Sequence, residues 1–83
     1  MGGRKMITFE EAVTLLEASM EIVLECDGYD YDVAPADYFV GGDDMEGYIS
    51  DVLGNVVYDS AEIILRKSID FLGRDGKEVG IRV

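Results

Sequence analysis

Apolar residues recur at helical spacing from Thr8 onward. Phe9, Ala12, Val13, Leu16, Met20, Val23 and Leu24 fall on one stripe, and Glu10, Glu17, Glu21 and Glu25 lie on the opposite side. Thr8 with Glu11 three residues later is a capping-box signature, so the pattern predicts a helix over 8–25, closed by Cys26-Asp27-Gly28. The period then changes to two. Tyr29, Tyr31 and Val33 alternate with Asp30 and Asp32, which predicts a half-buried strand over 29–33, closed by Pro35. Residues 34–44 read as a connection, in which Tyr38-Phe39-Val40 could add a short β segment before Gly41-Gly42.

Two patterns compete after Asp43. Met45, Tyr48, Ile49, Val52, Leu53, Val56 and Val57 fit a helix over 44–57, although Gly47 and Gly54 each cost about 1 kcal/mol in a helix interior. A hairpin turning at Gly54-Asn55 is the alternative, but it would put Ile49, Asp51 and Leu53 on one face, so the helix is preferred. Asp59-Ser60 opens a further helix over 60–72, with Ala61, Ile64, Leu65, Ile69 and Leu72 facing the core and Gly73 ending it. Val79, Ile81 and Val83 alternate in a terminal strand over 78–83, whose natural partner is 29–33. The sum is an α+β fold of about three helices and a small antiparallel sheet. Residues 1–5 read as a leader or flexible arm, and 6–83 as a single small domain without internal repeats.

Charge changes this picture more than composition does. Eighty-three residues carry seven Lys and Arg against eighteen Asp and Glu, a formal charge of −11. Residues 6–65 hold fifteen of those acids and no Lys or Arg at all, while the segments on either side are slightly basic. A surface needing only solubility mixes both signs and gains about 0.2–0.5 kcal/mol from each i,i+4 pair. This chain forgoes such pairs over two thirds of its length. In the predicted first helix Glu17, Glu21 and Glu25 would instead form a like-charge ladder at an axial step of about 6 Å.

Several chemistries are excluded or poorly supported. With no His and one Cys, His-dependent nucleophilic sites, His-ligated zinc and internal disulfides are impossible within one chain. Asp27, Asp30, Asp32, Asp37, Asp43 and Asp44 offer oxygens for Ca²⁺, but from Asp30 the fifth and twelfth EF-hand positions are Ala34 and Gly41, so the pattern fails. No enzyme activity, metal or cofactor is expected. Cys26, between Glu25 and Asp27, reads as a structural thiol. No apolar run approaches the roughly 20 residues of a membrane span, and the start lacks the apolar segment of a secretory signal, so the expected location is the cytoplasm.

What remains is a group of aromatics interleaved with acids. Tyr29, Tyr31 and Tyr38, with Asp27, Asp30, Asp32, Asp37, Asp43, Asp44, Glu46 and Asp51, and Glu17 and Glu21 on the helix, form the candidate partner-binding set. Carboxylates pair with Lys and Arg, and tyrosine adds contact area and stacks on Arg. The expected partner is a basic protein such as a nucleic-acid-binding enzyme or complex, with no membrane or direct nucleic-acid contact. In length and charge pattern the chain resembles the small acidic phage-encoded inhibitors of the anti-CRISPR and antirestriction type. That resemblance rests on the composition of residues 6–65, matches no shared motif, and implies nucleic-acid mimicry in a host cytoplasm. The alternative is an immunity protein, antitoxin or small interaction module for a basic protein, although the Tyr-Tyr-Pro segment of nuclease-immunity proteins has no counterpart here. A homodimer is compatible with the small core, provided its apolar or C-terminal basic parts meet.

Overall fold

The computed structural model describes residues 6–36, 47–54 and 56–83. In chain order it contains α1 (Phe9–Glu17), β1 (Ile22–Cys26), β2 (Tyr29–Pro35), β3 (Tyr48–Ser50), α2 (Ala61–Gly73) and β4 (Gly80–Arg82). The strands form one antiparallel sheet in the order β3-β2-β1-β4, and α1 and α2 pack together on one of its faces. The α+β class is as expected, with two helices rather than three among the described residues.

The first helix starts where its cap dictates. Thr8 Oγ1 accepts from the Glu11 N–H at 3.1 Å, and Glu11 accepts from the Thr8 N–H at 2.9 Å, closing the predicted capping box. It stops eight residues earlier than its apolar period suggests. The N–H groups of Ser19 and Met20 donate at 3.0 Å to the carbonyls of Leu16 and Leu15, a Schellman ending with Ser19 at φ +66°. Glycine usually marks that position, and its absence hides the stop. Beyond it, Ile22, Leu24 and Cys26 face the core while Val23 and Glu25 face away, so residues expected on a helix stripe form a strand.

Asp27-Gly28 then reverses the chain. Cys26 pairs with Tyr29 across the two residues, which stand at φ +56° and +83°, as a type I′ hairpin turn requires. The expected helix over 44–57 is absent from its described part, residues 44–46 lying outside the described residues. Tyr48–Ser50 is a strand instead, and Tyr48 and Tyr58 exchange both backbone hydrogen bonds, at 2.7 and 2.9 Å. The chain therefore leaves and returns in a hairpin-like loop, closer to the alternative reading. Gly47 stands at φ +105°, where a Cβ would lie 2.5 Å from the Tyr58 carbonyl oxygen. The Tyr38–Val40 segment lies outside the described residues.

β4 also has a different partner from the one expected. It pairs with β1, Ile81 opposite Leu24, and its free edge is partly covered by Met6 and by the Ile7 N–H, which donates to the Ile81 carbonyl at 2.9 Å. Leu24 thus sits in the middle of the sheet, flanked by Tyr31 and Ile81 and covered by the helices. Ala12, Leu16, Ile22, Val33, Ala61, Ile64 and Leu65 complete the core, each large aliphatic contributing about 1.5–3 kcal/mol by leaving water. Of the residues expected there, Met20 is instead exposed and Val23 lies on the far face of the sheet. Ser50 and Ser68 are buried, and their hydroxyls lie 2.8 Å apart. A hydroxyl has one proton, so Ser68, 2.7 Å from the Ile64 carbonyl, donates there and accepts from Ser50, whose oxygen also accepts from the Val52 N–H.

Candidate functional site

The sheet register decides which of the candidate residues can act together. Directly paired residues share a face, so Tyr29, Tyr31 and Val33 lie with Leu24 on the helix side, and Asp30, Asp32 and Glu25 lie on the other. The aromatics and acids that alternate along the sequence are therefore separated by the thickness of the sheet. Tyr31 packs against the core, whereas Tyr29, at 65% exposure, stands at the rim of the helix side beside Phe71 and Arg74. There the Arg74 guanidinium lies 4.4 Å from the Phe71 ring centroid.

Two cross-strand rows form the acidic part of the outer face. Asp32, Val23 and Arg82 make one; Asp30, Glu25 and Gly80 make the other. Glu25 and Asp30 are directly opposed, an arrangement that destabilises a sheet when both are charged. Arg82 offsets it. Its Nε pairs with Glu25 and its terminal nitrogen lies 2.8 Å from Asp30, joining β4 to β1 and β2. Desolvation is the largest single influence on this guanidinium and pulls its pKa down, but the hydrogen bonds and charges of Glu25 and Asp30 together raise it. A raised value means that Arg82 itself stays charged at every pH below the ordinary arginine pKa, so loss of the guanidinium charge does not limit the pairing there.

At the hairpin end, this face leads into a cleft of about 250 Å³ lined by Glu25, Asp27, Asp30 and Glu78, with Gly28 and Gly80. Gly28 borders open space, whereas a Cβ on Gly80 would lie 2.6 Å from Met6 Cε. Lys77 reaches Asp27 at 3.4 Å, so two cations serve three of the four carboxylates. The cations that are remote in sequence are thus brought into the acidic block, which the linear charge pattern does not show.

The remaining candidates are dispersed. Glu17 ends α1, Glu21 precedes β1, and Glu25 is on the outer sheet face, so no i,i+4 ladder exists; all three were expected on one helix. Glu17 and Glu21 are exposed, without a cation within 4 Å among the described residues. Asp51 is exposed, and its carboxylate accepts from the Asp32 N–H at 3.2 Å, tying the β3 end to the same face. Asp37, Tyr38, Asp43, Asp44 and Glu46 lie outside the described residues. Among those described, no three Cys, Asp or Glu side chains are grouped to hold a metal ion, and no helix is long and apolar enough to cross a membrane. Cys26 is buried, with its thiol 3.8 Å from the Leu72 carbonyl oxygen.

Arg82 and Glu78 are the contributors that the sequence pattern did not single out. Their signal was available in the Asp27-Gly28 pair: a hairpin there makes 22–26 a strand, which then can take the 78–83 segment beside it. No family model, curated protein or solved structure matches this chain.

Proposed function

We propose that this chain is an acidic inhibitor that occupies a basic, nucleic-acid-binding surface of another protein. The observation that carries the reading is the cleft at the β1–β2 turn, where four carboxylates face two internal cations and about 250 Å³ of space stands open to a Lys or Arg side chain. Around it, Asp32 and Asp51 extend the negative surface along the outer face. Their spacing is set by the sheet. Asp30 and Asp32 are two residues apart at about 3.4 Å each, or about 7 Å, twice the axial interval of phosphates on one nucleic-acid strand.

The mechanism is electrostatic and steric. An uncompensated charge of −11 steers the chain toward a positive groove and accelerates encounter, and the bound protein then excludes the nucleic acid that the groove normally holds. No catalytic step, metal or cofactor takes part. The test is capture of host proteins at low salt by the parent and by the double variant Asp32→Lys, Glu78→Lys, which reverses the charge at the cleft and beside it and spares the Arg82 pairs. Capture should be lost with the variant while its melting temperature stays close to the parent's. Equal capture by both would refute the reading.

A further inference from the structure

Charge complementarity sets association rate and specificity more than affinity, and tight interfaces depend on a few apolar or aromatic anchors seated in pockets. With Tyr31 in the core and Tyr29 on the helix side, the two acidic rows carry no aromatic residue, and their one apolar residue, Val23, is half-buried between Asp32 and Arg82. A groove elsewhere can supply one. α1, with Ile7 before it and Val83 just after β4, borders an open groove of about 410 Å³. That lies within the roughly 300–1,000 Å³ of ligand pockets.

Its composition is specific. Ile7, Leu15 and Val83 supply the apolar surface, Thr14 a hydroxyl, and Glu10 and Glu11 the charge. Glu10, Glu11, Thr14 and Leu15 form one stripe of α1, turned away from the buried Ala12 and Leu16. Ile7 and Leu15 are only half-buried, and Val83 is 49% exposed. The two acids differ in their commitments. Glu11 accepts the Thr8 N–H in the capping box, whereas Glu10 is exposed with no cation within 4 Å among the described residues.

We infer that this groove seats an apolar side chain of a basic partner segment, with a neighbouring Lys or Arg of that segment paired to Glu10. The charge dictates this occupant. Two carboxylates beside the groove repel an anionic ligand, and a net −11 opposes a second copy of the chain. A segment combining Leu, Ile or Met with Lys or Arg satisfies both the apolar surface and the acids. The inference rests on the reading of a basic protein partner and adds where that partner is anchored.

The experiment is residue-resolved amide NMR of the full chain titrated with two synthetic peptides at low salt: acetyl-Lys-Leu-Lys-Leu-Leu-Lys-amide and its equally charged analogue with Ser in place of Leu. The Leu peptide should shift the amides of Ile7, Thr14, Leu15 and Val83 with a dissociation constant below about 1 mM, and the Ser peptide should not. Leu15→Glu should weaken the Leu peptide at least tenfold, with Val83→Asp as a second variant at a more exposed position, and Glu10→Gln about threefold. The absence of shifts at these residues overturns the inference. So do equal shifts by both peptides confined to Glu25, Asp30 and Asp32, an outcome that leaves the charge-based reading standing. Binding that appears only when Arg4 and Lys5 are changed to Glu would assign the groove to the chain's own N-terminal arm and also overturn it. Conversely, failure to capture a host protein with groove binding intact would refute the proposed function and not the groove.

Discussion

Replacing Gly47 by alanine separates the observed hairpin-like loop from the helix that the apolar period predicts, because the two give opposite signs. In a helix over 44–57, Gly47→Ala would stabilise the protein by about 1 kcal/mol, since alanine is the better helix former. In the structure, Gly47 has φ +105°, and the added Cβ would meet the Tyr58 carbonyl oxygen at 2.5 Å and Val57 Cγ1 at 2.7 Å. A left-handed conformation costs an alanine about 1–2 kcal/mol. Relieving the clash moves the Tyr58 carbonyl, which accepts the Tyr48 N–H at 2.7 Å, and endangers the reciprocal bond of 2.9 Å; each is worth about 0.5–1.5 kcal/mol. The total is a loss of about 2–5 kcal/mol. A chain of this size has about 4–12 kcal/mol of stability, so the variant remains measurable. Urea unfolding followed by circular dichroism, with a slope of about 1–2 kcal/mol per M, should show the midpoint falling by about 1 M or more. An unchanged or raised midpoint would refute the close approach of residues 47 and 58.

Three further variants probe the core and the charged face. Leu24→Ala removes a fully buried side chain from the centre of the sheet and should cost about 3–5 kcal/mol by chemical denaturation, more than any single exposed-site change. Ser68→Ala strands the buried Ser50 hydroxyl and should cost about 1–3 kcal/mol, while the double change with Ser50→Ala should cost less than the sum of the two single changes in a double-mutant cycle. Arg82→Met leaves Glu25 and Asp30 opposed as like charges, so its melting temperature should fall at low salt and recover more than the parent's on adding NaCl; an equal salt response in both proteins would show that Arg82 does not offset that repulsion.

Local signals were legible where they concerned caps and short alternations. Thr8 with Glu11 and Ser60 with Ile63 start both helices, the faces of Ala61–Leu72 are as the period predicts, and the 29–33 alternation sets tyrosines against aspartates. The rest failed for identifiable reasons. Leu16, Met20, Val23 and Leu24 satisfy a helical period while Ile22, Leu24 and Cys26 satisfy a strand period, and the decision rests on Ser19 adopting a conformation that serine rarely signals. Asp27-Gly28 was the stronger cue, since two left-handed residues between alternating segments specify a tight hairpin. The candidate site inherited these errors: the glutamate ladder dissolved with the helix, and the acids on β2 gained Arg82 because β1, newly a strand, lies between β2 and β4. Charge summed along a sequence locates a negative region but does not reveal which remote cations the fold returns to it.

The central claim is that this acidic surface takes the place of nucleic acid on a basic protein, and competition tests it most directly. Protein captured from nuclease-treated host lysate on the immobilised chain at about 50 mM salt should be released by added duplex DNA or RNA, and also by raising the salt to about 200 mM. Captured protein that stays bound in saturating nucleic acid would contradict the claim, because the two would then occupy different surfaces.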